Sequence, residues 1–96
     1  MMEQRSILAA ETIFEEMCVQ TVLPHLGKDV NIRYTLEYSE QSGESRLILR
    51  WGGERFDPLT EGEELSVLIA KNSATEIDYT YTAEDEYPNR LSAKLR

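Results

Sequence analysis

With a single cysteine, Cys18, the chain can build neither an internal disulfide framework nor a thiolate zinc site. Its only histidine, His25, falls in a turn, where a solvated cap is the plainer role than a general base. Basic residues are few. Ten Lys and Arg stand against 18 Asp and Glu, giving a net charge of −8. That balance argues against a nucleic-acid backbone or an anionic membrane surface as partner. Long apolar runs are missing too. Stretches such as Val67-Leu68-Ile69-Ala70 fall far short of the roughly 20 residues that cross a bilayer. No charged leader followed by an apolar segment opens the chain. These absences point to a cytoplasmic protein, and 96 residues with 41% apolar content suit a single domain spanning positions 1–96.

What is present has clear periodicity. From Glu3 to Leu23, Ile7, Ala10, Phe14, Met17, Cys18 and Thr21 recur at three- and four-residue steps, which predicts a helix with one buried stripe. Pro24 and Gly27 end it. From Val30 the period becomes two, with Val30, Ile32, Tyr34, Leu36 and Tyr38 on one face of a strand. A polar loop over Ser39–Ser45 leads to a second strand, Arg46–Trp51, and the two should form a hairpin. Thr60 and Glu63 have capping-box spacing, which places a helix start near Glu61, with Leu65, Leu68, Ile69 and Asn72 along one side. Two further alternating segments carry Ile77, Tyr79 and Tyr81, then Leu91, Ala93 and Leu95, around the loop Glu84–Asn89. The predicted order is α-β-β-α-β-β. It implies an α+β two-layer sandwich, with two helices packed on one face of a four-stranded, mostly antiparallel sheet.

No catalytic arrangement assembles from the residues alone. Cys18 lies on the apolar stripe, where a free thiol acts as a small hydrophobe. The serines at 39, 42 and 45 have nothing nearby to activate them. Asp57, Glu61, Glu63 and Glu64 crowd a helix start, where carboxylates favour the positive end of the dipole, and EF-hand spacing is absent. Glu84, Asp85 and Glu86 solvate a hairpin tip. Tyr34, Tyr38, Tyr79 and Tyr81 fall on inward faces, where they can fill the core. Arg33, Arg46, Arg50 and Arg55 are scattered along the sequence, with no patch that aromatic residues interleave.

Taken in order, several segments have a family likeness. Leu47–Leu59, reading Leu-Ile-Leu-Arg-Trp-Gly-Gly-Glu-Arg-Phe-Asp-Pro-Leu, resembles the strand of the GHKL (Bergerat-fold) ATPases that ends in Asp-x-Gly and runs into Phe-Asp-Pro. The anti-sigma-factor serine kinase branch is the nearest in pattern. Leu65–Lys71 and Ala74–Tyr79 resemble that family's lid helix and following strand, and Asn89-Arg90-Leu91-Ser92 its Asn-Arg-Leu-Thr opening of the last strand. The helix over Glu11–Val22 then takes the place of the Asn-bearing helix. The likeness implies the family's scaffold without its usual leading strand and helix.

The residues that would bind nucleotide depart from the pattern. Glu11 matches the family's water-positioning glutamate, but Glu15 stands where the magnesium-holding asparagine is expected. Trp51 replaces the adenine-reading aspartate, while Gly53 keeps the motif's glycine. Glu63, Glu64 and Ser66 replace the glycine-rich lid. An indole donates one hydrogen bond and accepts none, and its bulk falls where a purine should lie. Added carboxylates repel phosphates by about 1 kcal/mol or more per close contact.

The resemblance therefore implies a non-catalytic, degenerate regulatory module with a vestigial pocket at Glu15, Trp51, Gly53, Phe56 and Ser66, and no bound cofactor. Its partner would be a protein, with a second copy of the chain as one candidate. Val19, Val22, Leu23 and Leu26 lie off the main stripe and are the expected interface. The alternative is an ATP-binding, serine-kinase-like regulator using ATP and magnesium. In it Glu11 would be the catalytic base, with Gly53 and Phe56 lining the adenine site.

Overall fold

A computed structural model describes residues 3–27 and 31–96, so Val30 of the expected first strand lies outside the described residues. The leading helix begins as α1 (Gln4–Ile13), continues unbroken through a π-helical segment (Phe14–Val22) and closes as α2 (Leu23–Leu26). Gly27 then takes a φ of 91°, which glycine adopts without steric cost. The middle of this helix follows a wider period than an α-helix. Ile13, Met17, Cys18 and Val22 are all buried, at steps of four, five and nine residues. The side chains keep the same register: Thr21 Oγ1 donates to the Glu16 carbonyl at 2.7 Å, and Gln20 Nε2 to Glu15 Oε1 at 2.9 Å, both five residues back. The Leu23 N–H likewise reaches the Cys18 carbonyl, the five-residue bond that defines a π-helix. The expected stripe is corrected accordingly. Ala10, Met17, Cys18 and Thr21 are buried as expected, but Ile7 is exposed, Phe14 is half-buried, and Ile13 and Val22 fill the core instead.

The expected α+β class is what the structure has. β1 (Ile32–Tyr38), β2 (Ser45–Trp51), β3 (Ala74–Tyr81) and β4 (Asn89–Leu95) form one sheet in the order β1-β2-β4-β3, with every neighbouring pair antiparallel. Both expected hairpins are present. Leu47, Leu49 and Trp51 of β2 and Leu91, Ala93 and Leu95 of β4 join Ala9, Ala10, Ile13, Met17 and Val22 of the leading helix in one core. The helices lie mainly over β2, β4 and β3, and this leaves the inner side of β1 beyond Ile32 largely uncovered. Tyr34 and Tyr38 therefore correct the expectation that they fill the core: Tyr34 is 64% exposed and Tyr38 is also open to solvent. On the other edge strand, β3, Tyr79 packs against the core whereas Tyr81 is exposed.

The central connection differs from its expected cap. Asp57, not Thr60, starts the helical stretch: its Oδ1 accepts the Leu59 N–H at 2.9 Å, and the Glu61 carboxylate accepts the Asp57 N–H at 2.9 Å. These reciprocal bonds nucleate a short α3 (Pro58–Glu61), which Gly62 ends before α4 (Glu64–Asn72) begins. A Cβ at Gly62 would stand 2.5 Å from the Pro58 carbonyl oxygen and 3.0 Å from Thr21 Cγ2. Only glycine lets the α3–α4 corner approach the π-helical segment this closely. The α4 stripe is also turned. Ser66, Val67 and Ala70 face inward, while Leu65 and Leu68 are 66% and 55% exposed. Small residues win the inner side because α4 must pack tightly against the leading helix.

Candidate functional site

The residues expected to form a vestigial nucleotide pocket fall into three places. Trp51 ends β2 in the row Ile32–Trp51–Asn89–Tyr81, and its indole has 0% exposure. The Trp51 Nε1 is a buried donor with no hydrogen-bond partner among the described residues. Gly53 takes a φ of 88° in the turn after the strand, and Phe56 is buried with its ring stacked on His25 at 3.8 Å and 12°. These three cluster at one end of the sheet. Glu15 is exposed and occupied with Gln20, and Ser66 is buried on α4.

What organises that end of the sheet is Asn89, which sequence reading did not single out as a structural element. Its side chain is fully buried. Oδ1 accepts the Phe56 N–H at 3.1 Å and the Tyr79 hydroxyl, while Nδ2 donates to the carbonyls of Trp51, Gly52 and Glu54 at 3.3, 3.4 and 3.2 Å. The Phe56 N–H is shared with the Tyr79 oxygen at 3.2 Å. One amide thus satisfies a whole irregular turn, which otherwise would bury unpaired backbone groups. The Tyr79 phenol is pushed above its ordinary range, chiefly by burial. This is structural chemistry.

Glu11 stands apart, on the rim of a groove between α1 and β1. Ile7, Ala10 and Phe14 form one wall, Tyr34 and Leu36 the other, with Leu47 at the base, enclosing about 390 Å³. Phe14 and Tyr34 meet edge to face at 5.4 Å. The groove exists because the leading helix stops short of the edge strand.

Of the expected interface residues, Val19 and Leu23 are exposed, whereas Val22 is fully buried and Leu26 packs against the core. Val22 and Leu26 therefore finish the interior and offer no continuous surface with the other two.

On the sheet's other side, arginines that are scattered in sequence come together. The registers align Arg33, Arg50 and Arg90 directly across β1, β2 and β4. In a parallel row, Arg46 and Lys94 lie between Glu37 and Glu76. Arg46 pairs with Glu76 at 4.0 Å and Lys94 with Glu44 at 2.8 Å. Glu44 and Lys94 stabilise each other's charged form, so the carboxyl is held below and the ammonium above its ordinary range. Among the described residues no carboxylate pairs with Arg33, Arg50 or Arg90, and Arg33 lies over the Tyr87 ring at 4.7 Å. Such a row of guanidinium forks can take an anionic group by paired hydrogen bonds. Periodicity put these residues on the outer face; only the strand order, which inserts β4 beside β2, aligns them.

Among the described residues no group of three or more His, Cys, Asp or Glu side chains is placed to hold a metal ion. No described helix is long and apolar enough to cross a membrane. The Cys18 thiol is buried, which raises its pKa and makes it a poor nucleophile. Comparison with protein-family models, with curated proteins and with solved structures returns no match.

Proposed function

We propose that this chain is a non-catalytic, GHKL-like domain that works in the cytoplasm through protein–protein contact. The observation that carries the reading is Trp51. Its indole has no exposed surface and occupies the place matched to the family's adenine-reading aspartate. Phe56 is stacked on His25 beside the same turn, so neither ring is free to face a purine. Glu11, the candidate base of the ATP-using alternative, borders an apolar groove with no cation lining it, a poor setting for a triphosphate. A groove of this kind on a small domain suits a protein partner. The net charge of −8 disfavours a nucleic acid, and a lone thiol suits a reducing compartment.

Thermal unfolding with and without Mg-ATP tests this. A ligand that binds only the folded state raises its melting temperature, by an amount set by concentration over Kd. The expected result is no shift at millimolar nucleotide. A rise of several degrees would overturn the reading in favour of an ATP-binding serine-kinase-like regulator.

A further inference from the structure

We infer that the partner is a second copy of the chain, joined through the free edge of β1 to continue the sheet. This rests on the reading of protein contact and names its occupant. β1 is an edge strand of seven residues, Ile32–Tyr38, without proline, glycine or lysine, and its register with β2 is free of bulges. Proline, lysine and bulges are among the devices that block an edge from pairing, and the two charges β1 does carry, Arg33 and Glu37, are opposite in sign.

Its sequence is complementary to itself when reversed about Thr35. Antiparallel pairing centred there sets Arg33 opposite Glu37 of the second copy and Glu37 opposite its Arg33, both on the outer face. On the groove face Tyr34 comes opposite Leu36 of the second copy, and Leu36 opposite its Tyr34. Backbone geometry agrees. The hairpin closes with the Ser39 N–H donating to the Glu44 carbonyl at 2.9 Å. Alternation from that pair turns the backbone groups of Arg33, Thr35 and Glu37 towards β2, and those of Tyr34 and Leu36 towards the open edge. In the Thr35-centred register, Tyr34 and Leu36 are the residues that must bond across the new interface. A one-residue slip would put groove-side residues opposite outer-face residues. A two-residue shift of the pairing separates Arg33 from Glu37. The same contact covers Tyr34 and Leu36, 64% and 43% exposed, together with the apolar groove behind them.

Sedimentation across a dilution series reads the outcome. The chain should sediment at twice its monomer mass and dissociate on dilution. R33E or E37R alone faces like charges at both outer pairs and should weaken self-association roughly tenfold or more. Mixing R33E with E37R restores both opposite-charge pairs and should give a heterodimer, while the R33E/E37R double variant should restore the homodimer. In the unaltered charge background, Thr35→Cys places two thiols opposite each other at a non-hydrogen-bonded pair, about 4.5 Å between Cα atoms. Oxidation should then give a covalent dimer. A chain that stays monomeric, a mixture that fails to associate, or a Thr35→Cys chain that does not cross-link would overturn the inference. A monomer indifferent to Mg-ATP removes the self-pairing and leaves contact with another protein. A dimer that binds Mg-ATP does the reverse.

Discussion

The side chain of Asn89 holds the backbone of Phe56, 33 residues away in sequence, through a 3.1 Å hydrogen bond in the interior. The same amide fastens the carbonyls of Trp51, Gly52 and Glu54, so the turn after β2 is tied to the first residue of β4. Asn89→Ala leaves these groups buried and unpaired. It should cost on the order of 3 kcal/mol in urea unfolding. Asn89→Asp should be no better, because a carboxylate cannot donate to three carbonyls. A loss under about 0.5 kcal/mol in both variants would contradict the role assigned to the amide.

Gly62 makes a second steric demand. An added methyl group would meet the Pro58 carbonyl oxygen at 2.5 Å, and backbone cannot yield as a flexible side chain does. Gly62→Ala should therefore destabilise by about 1–3 kcal/mol. Equal or greater stability by calorimetry would show that the α3–α4 corner is not held against the π-helical segment.

Much of the architecture was legible because hydrophobic period reports burial directly. Val30–Tyr38 alternates and Arg46–Trp51 holds a short apolar run, and strands lie there, with Val30 itself outside the described residues. The leading helix misled at Ile7 and Ile13 because a three-and-four rule assumes an α-helical turn, and its middle winds at the π period. Alternation also says which side of a strand is apolar without saying whether a helix reaches it, so Tyr34 and Tyr38 read as inward from the sequence. For the site, Trp51 could be singled out by type and position. Asn89 could not, since a buried amide and an exposed one look alike until the fold closes around them. The Arg33–Arg50–Arg90 row depends on a strand order that local pattern does not encode.

That row runs against ordinary cross-strand preference, in which like charges opposite each other destabilise. Arg50 is the middle member and is exposed. Arg50→Glu should therefore raise stability by about 0.5–1 kcal/mol at low salt, with the gain shrinking as salt screens the row. A loss of stability would mean that the arginines hold the sheet together rather than await an anionic group.

Three groups keep their protons more tightly in the folded chain than in the unfolded one. Burial raises the pKa of Cys18 and, as the main cause, of Tyr79; the Glu44 hydrogen bond raises that of Lys94. Their contributions are complete below the ordinary values of 9.0, 10.0 and 10.5 and are lost as pH climbs through the folded values. Glu44 works at the other end. Lys94 lowers its pKa, so its contribution is present above the ordinary 4.5 and is lost as pH falls through the folded value. Urea midpoints should form a plateau from about pH 5 to about pH 9, falling on both sides. Cys18→Ala should move the alkaline onset upward, and an unchanged onset would contradict the assignment.

The chain carries one tryptophan, and the proposed reading sets it where a purine would have to lie. Titrating Mg-ATP into the folded protein while following Trp51 fluorescence reads the cleft itself. A cleft already filled by its own indole gives an emission that neither shifts nor quenches saturably up to millimolar nucleotide. A saturable change, reversed by removing magnesium, would mean that the site still takes ATP.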